Sequence, residues 1–302
     1  MGDVAIRPMR AEDADAAHEL AGIAFEDEMQ ATLPAARLAA MVLAASKADT
    51  APPITRANAP SRANRLREAT QTDPDGCWVA EDENGLAGVA CAVRRGDLWV
   101  LCLLAVRPGA QGKGLGRKLL HQALLTRADA TMGWVRSSPD PRALHVYQAA
   151  GFALHPAFEA IGAPHRVDGA GVREANPDDL GAVMALIQEL RGAPLGPELD
   201  AVLAEGTARL LVTEGSLAGY ALVTPGAVSS LGAVDEPSAR TVLRAALAGA
   251  GSEVAVRGLT AAHAWAIDTV LEAGLRLWPG PTSCTWGAFA PPPTYLPHGS
   301  YG

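Results

Sequence analysis

The alternation of apolar and polar positions divides the chain into strands and helices. Leu98 to Val106 is apolar almost without a break, which is typical of a central strand covered on both faces. Met132 to Ser137 predicts a further strand. Between the two, leucines recur at helical spacing from Gly114 to about Ala128, which predicts an amphipathic helix. The middle of the first half is therefore a strand–helix–strand unit.

Further elements surround this unit. Val4 to Arg7 predicts a strand, and a helix follows from about Asp13 to Phe25. The pattern within residues 28–75 predicts helical segments that are interrupted by proline. Cys77 to Ala80 and Leu86 to Val93 predict two strands joined by an Asn-Gly turn. The predicted order β-α-α-β-β-β-α-β-α-β ends near residue 160.

The same order restarts after a stretch rich in glycine and proline, residues 162–171. Residues 272–277 (EAGLRL) parallel residues 149–154 (AAGFAL), which indicates an internal repeat of a whole domain. We therefore predict an α/β (α+β) fold with two tandem domains, 1–160 and 161–302. Each is expected to contain a mixed, mostly antiparallel sheet flanked by helices.

Composition narrows the classes of function. The chain has 302 residues, 49% of them hydrophobic, and a net charge of −8, of which residues 163–302 carry −6. Such a balance argues against a nucleic-acid partner and mildly favours a cationic small molecule. The apolar runs are too short to cross a bilayer, so we expect a cytoplasmic protein. The four cysteines lack CxxC spacing, and we predict neither a metal site nor a disulfide.

A glycine-rich loop follows the central strand. Gly112, Gly114 and Gly116 precede or begin the helix, so unpaired amides there point at one spot where the helix dipole favours an anion. Four basic residues add positive charge: Arg107, Lys113, Arg117 and Lys118. The pattern predicts a phosphate or pyrophosphate site.

Three kinds of phosphate loop differ in the spacing of their glycines. A Walker loop needs GxxxxGK[ST], but Gly114 follows Lys113 here. A dinucleotide fingerprint follows the first strand of a βαβ unit, whereas this loop follows the fourth strand of a meander. Gln111-x-x-Gly114-x-Gly116 instead resembles the Q/R-x-x-G-x-G/A signature of the GNAT superfamily of N-acetyltransferases. A second segment, Asp140-Pro-Arg-Ala-Leu-His-Val-Tyr147-Gln-Ala-Ala-Gly151-Phe152, is similar to that family's N-x-x-A-x-x-x-Y-x-x-x-G-F motif.

The resemblance covers about residues 4–160 and implies a site for acetyl-CoA as co-substrate. The pantetheine arm would pair with the backbone of Leu104, Ala105 and Val106. The pyrophosphate would be held by the loop and first helical turn: Gln111, Gly112, Lys113, Gly114, Leu115, Gly116 and Arg117. The amine would attack the thioester directly, with Tyr147 as general acid. Glu26 and Glu28 are candidates for the base.

Alternative roles stay open for the singled-out residues. Tyr147 shares a helix face with Ala143 and Leu144 and could be a packed core residue. Asp140 is fully explained as a helix N-cap. In the second half Val270 takes the place of Tyr147, and Asp235-Glu236 replace the glycines. Acids at a helix start would repel a pyrophosphate, so we predict that the second domain is degenerate.

The function predicted first is an N-acyltransferase that moves an acetyl or short acyl group from CoA to a primary amine on a small molecule or peptide. Polyamines, aminoglycosides and peptide N-termini fit the net acidity of the chain. The alternatives are a non-catalytic acyl-CoA sensor and a nucleotide-binding phosphate loop. A monomer and a homodimer are both compatible with the sequence.

Overall fold

The computed structural model describes residues 4–32, 59–204, 206–251 and 253–299. Within these ranges the chain forms strands and α-helices joined in places by short 3-10 turns. The strands are β1 (Ala5–Pro8), β2 (Cys77–Asp82), β3 (Gly85–Arg95), β4 (Leu98–Val106), β5 (Met132–Ser137), β6 (Ala153–His155), β7 (Phe158–Gly162), β8 (Val172–Glu174), β9 (Arg209–Thr213), β10 (Gly219–Thr224), β11 (Ala227–Ala233), β12 (Val254–Leu259), β13 (Arg276–Pro279), β14 (Thr282–Gly287) and β15 (Tyr295–Leu296). The helices are α1 (Ala14–Thr32), α2 (Ala59–Thr72), α3 (Leu115–Leu124), α4 (Pro141–Ala149), α5 (Leu180–Arg191), α6 (Glu198–Ala204), α7 (Glu236–Ala248) and α8 (Ala264–Glu272).

The chain divides into two compact units. The first contains Met1–Arg94, Leu101–Ala128 and Asp140–Arg142, and the second contains Arg95–Val100, Asp129–Pro139 and Ala143–Gly302. Strand β4 takes part in both, because residues 98–100 belong to the second unit and residues 101–106 to the first. The domain boundary at residue 160 stays a prediction.

The first unit is built on the strand order β1-β2-β3-β4. β1 pairs antiparallel with β2, and β2 pairs antiparallel with β3. One face of this sheet packs against α1 and α2 through a core that includes Leu20, Leu66, Val79 and Val89. On β3, a side chain at Gly88 would come within 2.7 Å of Leu119 on α3, so the glycine permits the close packing of that helix.

The second unit contains an eight-stranded sheet in the order β13-β7-β12-β11-β10-β9-β8 with β15 beside β11. β10 pairs antiparallel with β9 and β11, whereas β11 and β12 run parallel. Helices α7 and α8 contribute Leu243, Leu247 and Val270 to the core on this sheet. The sheet is therefore mixed and mostly antiparallel, as the sequence predicts.

Strands are exchanged between the two sequence repeats, and the six strands involved lie in the second unit. β14, near the C-terminus, lies between β5 and β6, with Cys284 opposite both Val135 and Leu154. Reciprocally, β7 lies between β12 and β13, with Ala160 opposite both Val256 and Leu277. A strand of the second repeat therefore lies between two strands of the first, and a strand of the first repeat lies between two strands of the second.

An arginine–aspartate pair marks the start of each repeat. In the first unit, Arg7 Nη1 donates to Asp13 Oδ2 at 2.7 Å. In the second, Arg173 Nη1 donates to Asp179 Oδ2, also at 2.7 Å. In both places a backbone amide three residues before the aspartate donates to the same oxygen, at 2.7 Å each. This local likeness supports the internal repeat.

The observed elements agree with the predicted order, and β4 and β5 have the predicted bounds. Several ranges differ: α1 continues to Thr32, past the predicted end at Phe25, and α3 ends at Leu124, before a short 3-10 turn. α2 runs through Pro60, which occupies its first turn and needs no helical donor. Most of the predicted proline-interrupted region, residues 33–58, lies outside the described residues. None of the helices in the described part of the chain has the length and apolar content needed to span a bilayer.

Candidate functional site

The site begins at the carboxyl end of β4. Cys102, Leu103, Leu104 and Val106 are half-buried there, whereas the first four residues of the strand are buried. Leu104, Ala105 and Val106, the predicted pantetheine-binding residues, are the last three residues of this strand. They therefore lie directly before the glycine-rich loop.

The loop owes its shape to two glycines with positive φ. Gly112 has φ +75° and Gly114 has φ +78°, a region that L side chains rarely adopt. Among the described residues, no atom lies within 4 Å of a Cβ built at either position. Backbone conformation, and not crowding, is therefore what requires glycine here, and the space above the loop is open.

Helix α3 starts without a side-chain cap. Gly114 is its N-cap, no cap hydrogen bond is formed among the described residues, and the first turn carries no acid. The amide of Lys118 bonds to Gly114 O at 3.1 Å, so the amides of Leu115, Gly116 and Arg117 precede the helical ladder. Together with the helix dipole, this end has the chemistry of an anion site.

The basic residues around the loop divide into two groups. Lys113, Arg117 and Lys118 are exposed beside the helix start, and Lys113 Nζ donates to Gly109 O at 3.1 Å. The contacts of Arg107 differ from the prediction, which placed its charge at the phosphate site. Its Nη2 donates to Asp82 Oδ2 at 2.6 Å and its Nη1 to Leu86 O at 3.2 Å, so its charge is paired with the β2–β3 hairpin.

A hydrogen-bond network joins the two sequence motifs within the first unit. Gln111 Nε2 donates to Val106 O at 3.0 Å, and Gln111 Oε1 accepts from Arg142 Nη1 at 2.7 Å. Arg142 also donates to Asp140, from Nη2 to Oδ2 at 2.6 Å. The end of β4, the loop and the start of α4 are thereby held together.

Asp140 has the N-cap role that the sequence predicts. Its Oδ1 accepts from the Arg142 amide at 2.7 Å. Burial by itself would raise the pKa of this carboxyl, but the hydrogen bonds from Arg142 outweigh it and the pKa is lowered. Arg142 was not predicted as a site residue, although an arginine two positions after a helix-capping aspartate is a usable signal.

Tyr147 lies on α4 in the second unit and is 5% exposed. Its ring meets Phe152 edge to face with centroids 6.2 Å apart, and Phe152 contacts Trp99 at 6.1 Å. Gly151, with φ +89°, follows the end of this helix. This packing agrees with a core role, while the role of general acid stays a prediction. Of the two candidate bases, Glu26 is exposed on α1, and the side chain of Glu28 lies outside the described residues.

The second repeat offers an internal comparison. Tyr147 O accepts from Phe152 N at 3.1 Å, and Val270 O accepts from Leu275 N at 3.0 Å, so Val270 does stand where Tyr147 stands. Helix α7 begins after Asp235, whose Oδ1 accepts from Ser238 N at 2.9 Å. Hydrogen bonds from the side chain and then from the amide of Ser238 lower the pKa of Asp235 and keep a negative charge at the helix start. In the second repeat a carboxylate therefore caps the helix start that has no side-chain cap in the first repeat.

Comparison with protein families identifies the class of domain. Residues 73–154, which include β2 to β5, the loop and α4, match the family described as the acetyltransferase (GNAT) domain. The chain therefore carries a GNAT acetyltransferase domain, and its two sheets are consistent with a tandem arrangement. Among curated proteins, none matches the chain at a significant level.

Solved structures share the fold over the whole chain. A candidate acetyltransferase from Pyrococcus horikoshii is 18% identical with a TM-score of 0.73, covering 99% of this chain and 96% of that one. A GCN5-related N-acetyltransferase from Sphaerobacter thermophilus is 17% identical with a TM-score of 0.58, covering 95% and 96%. A GCN5-related N-acetyltransferase from Anabaena variabilis is 10% identical with a TM-score of 0.56, covering 94% and 72%. At these identities the likeness establishes the fold alone.

Proposed function

We propose that the chain is an acetyl-CoA-dependent N-acetyltransferase whose cofactor site lies in the first repeat. The observation that carries this proposal is the difference between two equivalent helix starts. α3 begins behind two positive-φ glycines with no side-chain cap, whereas the start of α7 is capped by Asp235. Only the first can accept a pyrophosphate.

The residues present fit such a ligand. The amides of Leu115, Gly116 and Arg117 would bind the pyrophosphate, and exposed Lys113 and Arg117 would add positive charge. The open space above Gly112 and Gly114 lets a phosphate approach the backbone closely. Leu104, Ala105 and Val106, at the half-exposed end of β4, would pair with the pantetheine arm.

The chemistry proposed for the chain's own groups is proton transfer and orientation. The bound cofactor supplies an acetyl thioester, which a neutral primary amine attacks directly. The Tyr147 hydroxyl would give its proton to the leaving thiolate, and Glu26 or Glu28 would take the proton of the ammonium through water. The acceptor is a small-molecule or peptide amine, and the protein acts in the cytoplasm as a monomer or homodimer.

One observation favours a second candidate, a sensor that binds acyl-CoA without turnover. Tyr147 is 5% exposed and packed against Phe152, as a structural residue would be. A sensor would keep the loop and the α3 amides and have no need of an acid. Turnover therefore separates the two candidates, since both require binding.

Calorimetric titration of acetyl-CoA into the full chain tests the proposal. We expect one-site binding that is weakened more than tenfold in Gly114→Asp/Gly116→Asp, because two carboxylates would face the pyrophosphate. Gly215→Asp is the matched control, since Gly215 is also an exposed glycine with φ +75° and lies far along the chain in the second repeat.

The outcomes distinguish all three functions. Binding that the double variant loses and the control keeps, followed by thiol release with an amine panel, supports the enzyme. The same binding without thiol release for any amine supports the sensor. Equal affinity for ATP and acetyl-CoA would favour a nucleotide-binding loop, and no binding by the unaltered chain overturns the proposal.

A further inference from the structure

A half-buried arginine in the second unit is one of two neighbouring guanidinium groups that share one carboxylate among the described residues. Arg136 is the fifth residue of β5, and its guanidinium lies over the Trp134 ring, 5.4 Å from the centroid. Its Nη2 donates to Pro297 O at 2.7 Å. A guanidinium has five N–H donors, so most of its hydrogen-bonding capacity is unused by the described residues.

The guanidinium occupies a slot formed by two glycines. A Cβ at Gly258 would lie 3.1 Å from Nη2, and one at Gly299 would lie 3.0 Å from Nη1. Both distances are shorter than ordinary contacts, so a side chain at either position would push the guanidinium away. Gly258 also has φ +79° and sits at an irregularity in β12. The backbone at both glycines therefore leaves room for the guanidinium of Arg136.

The charges around this slot do not balance. Arg257, on β12, is close enough to disfavour the charge of Arg136. Burial, followed by the charge of Arg257, lowers the pKa of Arg136 to about 10, so it remains charged at neutral pH. Glu159, which is 4% exposed, pairs with Arg257 through Oε2 and Nε at 3.3 Å. Arg136 forms no ion pair among the described residues.

In the part of the chain that the structure describes, Glu159 also favours the charge of Arg136, but two guanidinium groups and this one carboxylate leave a local excess of positive charge, although the chain as a whole carries −8. Withdrawing an uncompensated charge from water is costly, and an anion from outside would remove that cost. The planar fork of arginine matches the two oxygens of a carboxylate. Arg136 also stands at the carboxyl end of β5, and the next helix, α4, carries Tyr147.

We propose that Arg136, assisted by Arg257, binds a carboxylate of the amine acceptor, so that the acceptor is an amino acid or a short peptide with a free carboxylate. This inference rests on the proposed acetyltransferase function. The net charge of the chain alone favours a cationic acceptor. An acceptor with a carboxylate is proposed instead, because the charge within the slot is positive whereas that of the chain is negative.

Saturation-transfer NMR with the twenty amino acids, each beside its α-carboxamide, tests the site without any need for turnover. We expect acids to bind and the matched carboxamides to bind at least tenfold more weakly. Arg136→Gln should abolish that preference, whereas Arg276→Gln, at an exposed arginine of β13, should keep it. Amino acids that bind in this panel are then assayed as acceptors by thiol release. With the acid, Arg136→Gln should have a higher KM than the unaltered chain, whereas the KM for the carboxamide should not change.

A second readout covers the case in which Arg136→Gln does not fold. The side-chain Nε–H signal of Arg136 in the unaltered protein, assigned by its loss in Arg136→Lys, should shift on titration with the acid and stay in place with the carboxamide. Equal binding of acids and carboxamides, an unmoved Nε–H signal or no binding by the panel overturns the proposal. If the unaltered chain does not bind acetyl-CoA in the calorimetric titration, the proposed acetyltransferase function is wrong. The preference for carboxylates can still be measured in that case, so the two failures are distinguishable.

Discussion

Arg142 Nη1 donates a hydrogen bond of 2.7 Å to Gln111 Oε1, and this bond links residues 31 positions apart. The other end of the Gln111 amide donates to Val106 O at 3.0 Å. One side chain therefore ties the end of β4 to the start of α4. In the first repeat, the two motifs that resemble the GNAT signature are thus mechanically joined.

This link predicts coupling between the two residues in cofactor binding. Gln111→Ala should weaken acetyl-CoA binding about five- to tenfold, because the loop loses its bond to Val106 O, worth roughly 1 kcal/mol. Arg142→Ala should have a smaller effect, since its side chain is 58% exposed. Calorimetry on both single variants and the double variant gives the coupling energy. If the two effects simply add, Gln111 and Arg142 act independently.

Gly114 and Gly116 should respond differently to the same substitution. Gly114 has φ +78°, so Gly114→Ala should cost about 1–2 kcal/mol or shift the loop. At Gly116 a Cβ would meet Val106 Cγ2 at 3.6 Å, an ordinary contact, and Gly116→Ala should be tolerated. Urea unfolding and acetyl-CoA titration of both variants check this. Equal losses would show that crowding at the ligand, and not backbone conformation, selects the glycines.

Tyr147→Phe separates catalysis from packing. The edge-to-face contact with Phe152 needs the ring and not the hydroxyl, so Tyr147→Phe keeps that contact. If the hydroxyl is the general acid, kcat should fall about 10²–10⁴-fold while acetyl-CoA affinity is kept. Phe152→Leu serves as the control for packing, with stability lost and no matching fall in kcat. Unchanged turnover in folded Tyr147→Phe would assign the tyrosine to the core.

Local chemistry explains why the glycine loop was predictable from sequence. Gly112, Gly114 and the start of α3 depend on backbone conformation and on neighbours within a few residues. Arg107 shows the opposite case, because its partner Asp82 lies 25 residues away and either a ligand phosphate or a carboxylate would suit the same guanidinium. The sequence records its charge and not which partner takes it.

The strand exchange was not predictable for a related physical reason. The predicted elements do not include β14, and alternation of apolar residues does not say beside which strands a strand lies. The pairing of Cys284 with Val135 spans 149 positions, and an equivalent pairing within the second repeat would satisfy the same pattern. Arg136 was not predicted as a site residue for the same reason, since its slot is formed by Gly258 and Gly299, both distant along the chain.

The Arg173–Asp179 pair predicts a loss of stability in acid. Hydrogen bonds from Arg173 and from the Asn176 amide lower the pKa of Asp179 to about 2, below the ordinary value of about 4. A lowered pKa contributes stability above the unfolded-state pKa, and that contribution is lost as pH falls toward 2. In urea unfolding, Asp179→Asn should be less stable than the unaltered chain at neutral pH and should converge with it between pH 4 and 2. The exposed neighbour Asp178→Asn is the control, and a pH-independent gap for Asp179→Asn would contradict the assignment.

The strand exchange predicts that neither half of the chain folds alone. A piece ending at residue 163 lacks β14, so β5 and β6 lose the strand between them. A piece starting at residue 164 lacks β7, so β12 and β13 are left apart in the same way. Unpaired strands expose backbone groups and apolar faces, which favours aggregation over folding. We expect each piece to lack a cooperative unfolding transition, whereas co-expression of both pieces should yield a 1:1 complex with the circular dichroism of the intact chain. The co-expressed pair is also the control for the cut itself, because it carries the same break in the linker. Cooperative unfolding of either piece by itself would show that its sheet can close without the exchanged strand.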